Sequence, residues 1–188
     1  IHAGIYYPQH SLKAKLCVRG KEKLYQYCRE RNIAHQRLGK LLVAHGDAEE
    51  ACLEKTMKQA MLNGVNDLTW ITEQQLKKSN PELKATAALL SPSTGIIDVH
   101  SYMQALLAEI EHNNGQFVAQ TSFVNAEKNK DGFVVTVNSQ GEIMTLACDY
   151  LINDGGLHST MIADNIADLA TRHIPKLHYC RGHYFSYQ

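Results

Sequence analysis

Three histidines, a cysteine, an arginine and a pair of glycines carry the chemistry that can be read from this sequence. His2 lies between Ile1 and the small pair Ala3-Gly4, with Tyr6 and Tyr7 downstream. An imidazole takes up a proton near neutral pH, so His2 is a candidate general base, with a packed histidine as the plain alternative. Near the other end, His178-x-Cys180-x-x-His183 has the residue types of a metal site. On a strand, however, His183 would face away from His178 and Cys180 unless Gly182 makes a bulge. These residues are therefore read as strand residues beside a site, with no metal. Arg181 can hold a carboxylate through two parallel hydrogen bonds, or it can be an ordinary surface arginine. In Tyr150-Leu151-Ile152-Asn153-Asp154-Gly155-Gly156, strand-forming residues run into a Gly turn and then a helix. That arrangement lets a phosphate approach backbone N–H groups, and it also serves as a plain tight turn.

The local structure around these residues follows from pattern. Ser11 caps a helix reaching about Arg31, with Leu12, Leu16, Leu24 and Tyr27 on one face and basic residues on the other. His35 to Ala44 reads as one strand with Leu41-Leu42-Val43 as its buried centre. Asp47 with Glu50 resembles a capping box opening a second helix, which Asn63-Gly64 ends. Leu68 to Ile71 is a short strand, and Thr72 caps a short helix that stops before Pro81. Ala87 to Leu90 is a strand entering the turn cluster Ser91-Pro92-Ser93-Thr94-Gly95. Asp98 caps a helix through His112 whose apolar stripe is Met103, Leu106, Leu107 and Ile110. Strands are expected at Phe117–Thr121, Phe123–Lys128, Phe133–Asn138 and Glu142–Cys148, with hairpin turns at Asp131-Gly132 and Gln140-Gly141. Tyr150-Leu151-Ile152 should be a short buried strand, followed by a helix over about 158–170. The segment from Tyr184 has strand composition.

Composition narrows the partners. The chain has 188 residues, 44% hydrophobic and 20% charged, which is enough to bury a core. Nineteen basic residues balance nineteen acidic ones, so no net field draws it to nucleic acid. The basic face of the first helix (Lys13, Lys15, Arg19, Lys21, Lys23) reads as a solvated surface. Five scattered cysteines without a C-x-x-C pair argue against a disulfide scaffold or a clustered zinc site. Reduced thiols in a cytosol-facing protein are the simplest reading. No apolar run suits a membrane span, and there is no signal-peptide pattern. The chain starts on Ile1 inside an apolar run and stops within strand-like sequence, so it is expected to be internal to a longer protein.

Taken together, the segments resemble one family. Ile1-His2-Ala3-Gly4-Ile5-Tyr6-Tyr7-Pro8 followed by Ser11-Leu12-Lys13-Ala14-Lys15-Leu16-Cys17 is similar to the stretch by which L-2-hydroxyglutarate oxidases/dehydrogenases approach their flavin. That family belongs to the D-amino-acid-oxidase-like FAD superfamily. Gly39-Lys40-Leu41-Leu42-Val43-Ala44, Ser91-Pro92-Ser93-Thr94-Gly95-Ile96-Ile97-Asp98 and Arg181-Gly182-His183-Tyr184 match in the same order.

The resemblance implies a mixed α/β chain: part of a glutathione-reductase-like FAD-binding domain and part of a mixed-sheet substrate domain. Residues 1–34 would be the flavin-side loop and helix, and 35–97 the first part of the substrate domain. Residues 98–172 would be the middle of the FAD domain with an antiparallel insertion, and 173–188 a return to the substrate domain. The G-x-G-x-x-G turn that holds the FAD pyrophosphate in the family does not occur in these residues. Ala3, Gly4, Val124, Asp154, Gly155 and Gly156 are the implied FAD contacts. Asp154 departs from the family's small-Ala-Gly turn and must point away from the pyrophosphate.

The implied reaction moves a hydride from C2 of an L-2-hydroxy acid to flavin N5, with His2 taking the hydroxyl proton. Arg181 and His183 would meet the substrate's carboxylates, and oxygen or a quinone would take the electrons. The implied enzyme acts as part of a longer chain, cytoplasmic or peripheral at the inner membrane, and these residues alone are expected to be inactive. The alternatives are a superfamily member acting on an amine, an amino acid or glycerol 3-phosphate, and a truncated remnant without catalysis.

Overall fold

The computed structural model describes residues 1–183. The chain is mixed α/β and divides into two compact units, Ile1–Gln116 and Phe117–Gln188.

The first unit opens with the His2 to Tyr7 loop and the helix α1 (Leu12–Glu30). The Ser11 hydroxyl caps α1, accepting from the Ala14 N–H at 3.1 Å. The buried stripe of α1 is Ala14, Lys21, Tyr25 and Cys28. Leu12 and Leu16, expected on the inner face, are exposed. The expected stripe lost because Lys21 and Tyr25 find polar partners at Ser93, which holds that face of α1 inward.

The expected single strand from His35 to Ala44 is two strands, β1 (His35–Gln36) and β2 (Lys40–Ala44). Gly39, at φ +74°, breaks the run between them. Next come α2 (Asp47–Leu62), β3 (Thr69–Thr72), α3 (Glu73–Ser79) and β4 (Ala87–Ser91). Thr72 and Gln75 form a reciprocal capping box at α3. The capping box expected at Asp47 and Glu50 is not made. Gly46, at φ +86°, is the N-cap, and Asp47 is already helical. Glu49 instead reaches back to the His45 N–H at 2.8 Å.

The sheet order is β2-β4-β3, all antiparallel to the central β4. Alternate β4 residues face opposite layers. Leu89 packs on the α2 side with Ala3, Ile5, Ala44, Leu53 and Ala60. Ala88 packs on the α3 side with Leu76 and Ala85. The burial expected at Leu41-Leu42-Val43 thus falls on β4, since β2 is an edge strand and Val43 is exposed.

Strand β5 (Ile96–Ile97) pairs with β1, and α4 (Val99–His112) follows. Asp98 caps α4, accepting from the His100 and Ser101 N–H groups. The expected stripe lies on one face of α4, but Met103, Leu106 and Ile110 are exposed and no α4 residue is fully buried.

The second unit is an antiparallel meander of β6 (Thr121–Lys128), β7 (Phe133–Ser139) and β8 (Glu142–Cys148), as the hairpin signals predicted. Gln140 and Gly141 both adopt positive φ, as the two-residue turn between β7 and β8 demands. A register shift between Phe123 and Asn125 makes Val124 the bulge residue of β6.

Four expectations fail in this unit. Phe117–Val118 precede the sheet without strand pairing, and both are exposed. Tyr150-Leu151-Ile152 is no buried strand: it pairs with no strand among the described residues, and Tyr150 and Ile152 are 85% and 87% exposed. Apolar composition alone did not supply a neighbouring strand to hydrogen-bond it. The helix expected over 158–170 is a 3₁₀ turn, Gly156–His158, followed by α5 (Ser159–Asp164). Asn165 ends α5, its side-chain amide donating to the Met161 carbonyl and its own carbonyl accepting from the Ala126 N–H.

His178 to His183 is exposed and without regular structure, so the strand reading of His178, Cys180 and Arg181 is also corrected. The strand expected from Tyr184 lies outside the described residues.

Candidate active site

The loop from His2 to Tyr7 is anchored from three sides. Gly4 adopts φ +86°, and a Cβ there would stand 2.8 Å from Val18 Cγ2, so α1 rests directly on its backbone. The side-chain amide of Asn63, the residue ending α2, donates to the carbonyls of Gly4 (3.1 Å) and Tyr7 (2.8 Å). The Gly95 N–H donates to the Ile1 carbonyl at 3.2 Å. Ala3 and Ile5 are driven into the α2-side core, 4% and 2% exposed. His2 precedes the buried run Ala3-Gly4-Ile5 and is itself exposed.

The Ser91–Gly95 turn is itself gripped by α1. Lys21 Nζ donates to Ser93 Oγ at 2.9 Å, and Tyr25 Oη donates to the Ser93 carbonyl at 3.1 Å. Burial pushes the Tyr25 phenol up, which keeps it a donor, although the Arg37 guanidinium 4.1 Å from its ring pulls the other way. A Cβ on Gly95 would overlap Tyr25 Oη, so no other residue fits there.

His2 borders two hollows of the first unit. One is an open groove of about 450 Å³ shared with Leu16, Cys17, Lys21, Lys23, Tyr27 and Tyr102. The other is a recess of about 20 Å³, the size of one water, lined by residues 2–7 with Lys40 and Thr94. Lys40 Nζ donates to Tyr6 Oη at 3.0 Å and sits 4.7 Å from that ring's centre. Burial pushes the Tyr7 phenol up, and the neighbouring Cys17 thiol adds to the shift.

The other sequence candidates are distributed as follows. Ala3 and Gly4 are buried in the loop's packing, and His2 is exposed. Val124 is partly exposed at the β6 bulge. Asp154, Gly155 and Gly156 form a turn stitched by Asn153. Its Oδ1 accepts from the Gly155 N–H at 3.1 Å, and its Nδ2 donates to the Ser159 carbonyl at 2.7 Å. Asp154 is exposed. Gly155 has no room for a side chain, because a Cβ would overlap Ile162 Cδ1. Gly156, at φ +55°, has nothing within 4 Å of its missing Cβ, so its backbone is open to a ligand. Arg181 and His183 are exposed. No cluster of three metal-ligating side chains occurs among the described residues.

Sequence reasoning missed Lys40 and Asn63 as members of this neighbourhood. The Gly39-Lys40 pair was visible only as part of a motif, and Asn63 only as a helix stop.

For fit to a dinucleotide flavin, each unit contributes by itself: the first offers the exposed imidazole of His2, and the second the open side of Gly156 and the exposed apolar side chain of Val124. The closed turn at Asn153–Ser159 and the six-residue α5 are not a pyrophosphate cradle.

The chain belongs to the FAD dependent oxidoreductase (DAO) family, whose family model matches residues 1–188. It is 35% identical to the mitochondrial L-2-hydroxyglutarate dehydrogenase of Arabidopsis thaliana over 99% of this chain and 44% of that protein. It is 32% identical to the Homo sapiens protein of the same description, over 87% of this chain and 37% of that protein. The chain thus spans less than half the length of these relatives. Its fold is shared by glycine oxidase from Geobacillus kaustophilus, with a TM-score of 0.71, 15% identity, and coverage of 87% of this chain and 45% of that one. It also resembles the L-alpha-glycerophosphate oxidase of Mycoplasma pneumoniae solved with FAD bound, with a TM-score of 0.64 and 26% identity, covering 75% of this chain and 38% of that one.

Proposed function

We propose that these residues serve an enzyme that oxidises an L-2-hydroxy acid, L-2-hydroxyglutarate, to the 2-oxo acid. The observation that carries the reading is the anchored loop holding an exposed His2 beside a recess that also contains Lys40. Similarity to L-2-hydroxyglutarate dehydrogenases over most of the chain supports the substrate.

FAD, when bound, supplies the two-electron acceptor. His2 accepts the hydroxyl proton, which must leave as the C2–H bond breaks. Its exposure favours this role over that of a packed histidine. Arg181 and His183 are proposed donors to substrate carboxylates. Ala3 and Gly4 fix the loop that flanks the flavin, while Val124, Gly155 and Gly156 border the cofactor and Asp154 points to solvent. Residues 1–34 and 98–172 are assigned to the cofactor-binding part, and 35–97 with 173–188 to the substrate part. Oxygen or a quinone is the proposed final acceptor. Five free cysteines suit a reducing compartment. No helix among the described residues is long and apolar enough to cross a membrane.

The test is anaerobic mixing of the FAD-loaded, full-length protein with L-2-hydroxyglutarate, D-2-hydroxyglutarate, glycine and glycerol 3-phosphate. Bleaching of the flavin by the L-2-hydroxy acid alone is expected. Reduction by glycine or glycerol 3-phosphate in preference to it would overturn the reading.

A further inference from the structure

We propose that Lys40, held by Tyr6, is a specificity residue that binds one carboxylate of a dicarboxylic substrate, an inference that rests on the hydroxy-acid reading above. Lys40 begins β2 on the same sheet face as Leu42 and Ala44, the face that receives Ala3 and Ile5. This registers its side chain beside the His2 to Tyr7 loop, where it lines the recess with His2 and Thr94.

An ammonium has three N–H donors. One is used on Tyr6 Oη at 3.0 Å, and the ring of Tyr6 lies beneath the charge at 4.7 Å. Both contacts orient the ammonium, and neither neutralises it. Lys40 is half-buried and makes no ion pair with a carboxylate among the described residues. No acidic side chain lines the recess. A recess of about 20 Å³ accepts one oxygen atom. A positioned cation with free donors, no internal counter-charge and room for one oxygen matches the end of a carboxylate. Because the same recess reaches His2, the carboxylate bound there belongs to the molecule whose hydroxyl His2 deprotonates. A substrate with a second carboxylate satisfies Lys40. A monocarboxylic hydroxy acid leaves it unused.

The experiment uses the full-length protein loaded with FAD. Glutarate, which has two carboxylates and no oxidisable hydroxyl, is titrated and its binding read from the visible flavin spectrum. The same titration is made with butyrate. Lys40→Met and Lys40→Gln are expected to weaken glutarate about 10- to 100-fold, the loss of a hydrogen bond to a charged group. Butyrate binding should change less than about twofold. Lys40→Arg should restore much of the glutarate affinity, and Tyr6→Phe should cost a few-fold. For turnover, the loss should fall on KM rather than kcat.

Unchanged glutarate affinity in both Lys40 variants overturns the proposal. So does an equal loss for glutarate and butyrate, which marks a structural role. Oxidation of L-2-hydroxyglutarate by Lys40→Met with unaltered KM removes this inference and leaves the functional reading standing. Lys40-dependent glutarate binding in a protein that does not oxidise L-2-hydroxyglutarate upholds the inference and removes the reading of the reaction.

Discussion

Asn63 and Gly4 are joined across α2 and the amino-terminal loop: the Asn63 amide donates at 3.1 Å to the Gly4 carbonyl and at 2.8 Å to that of Tyr7. One side chain thus fixes both ends of the segment that follows His2. Asn63→Ala leaves two carbonyls without this donor, at a cost of roughly 1–3 kcal/mol. The expected outcome is a lower unfolding midpoint in urea together with slower flavin reduction at unchanged flavin content. An unaltered midpoint would show that water replaces the amide without penalty.

Gly4→Ala is expected to destabilise by roughly 1–3 kcal/mol, from the positive φ and the 2.8 Å approach to Val18 Cγ2 combined. Val18→Ala in the same chain should recover only the steric part. A double-mutant cycle from denaturant unfolding measures the coupling, and simple additivity would mean that the Val18 contact is not what excludes the methyl group.

His2→Ala should lower the rate of flavin reduction by L-2-hydroxyglutarate by about 10²–10⁴-fold, the usual worth of general-base catalysis. Since His2 is exposed, thermal stability and bound FAD should stay near wild type. Single-turnover rates per bound FAD decide the matter, and agreement within a few-fold would remove His2 from the chemistry.

Asp98 links the stability of α4 to pH. Hydrogen bonds from the Ser101 hydroxyl and N–H, with that of His100, hold its carboxyl below the usual carboxylate range. A folded value below the unfolded one means the stabilisation is complete above the unfolded value. It is lost as pH falls through the lowered folded value. Wild type and Asp98→Asn should therefore differ in thermal midpoint near neutrality and converge in strong acid. A difference that grows on acidification would contradict this.

The 188 residues by themselves are expected to hold FAD weakly, because no G-x-G-x-x-G turn occurs in them and the Asn153–Ser159 turn is closed upon itself. Stoichiometric yellow flavin surviving gel filtration of these residues alone would show the expectation wrong.

Local signals carried most of the element boundaries. Ser11, Thr72 and Asp98 cap helices as their side chains suggest, and Gln140-Gly141 makes the hairpin turn between β7 and β8. What local pattern could not disclose was which apolar face is buried, because burial depends on partners far along the chain. Leu12 and Leu16 are exposed while Lys21 is covered, since Ser93 supplies a partner 72 residues away. Tyr150-Leu151-Ile152 had the composition of a strand and found no neighbour to pair with among the described residues. For the candidate site, His2 could be nominated from its residue type and setting. Lys40 could not, because its role arises only when β2 aligns with the loop holding Tyr6.

The anchors of the His2 loop have a bearing on the order of folding. Gly4 and Tyr7 are held by a residue 59 and 56 positions away, and Ile1 by one 94 positions away. Each contact closes a long loop, and that entropic cost must be met before the contact returns anything. The loop is therefore expected to order late, once helix α2 and the Ser91–Gly95 turn are there to supply its partners. A partly folded chain therefore does not hold the imidazole beside the recess. Ligand contact with that recess would favour the completed fold over any state in which α2 is unformed.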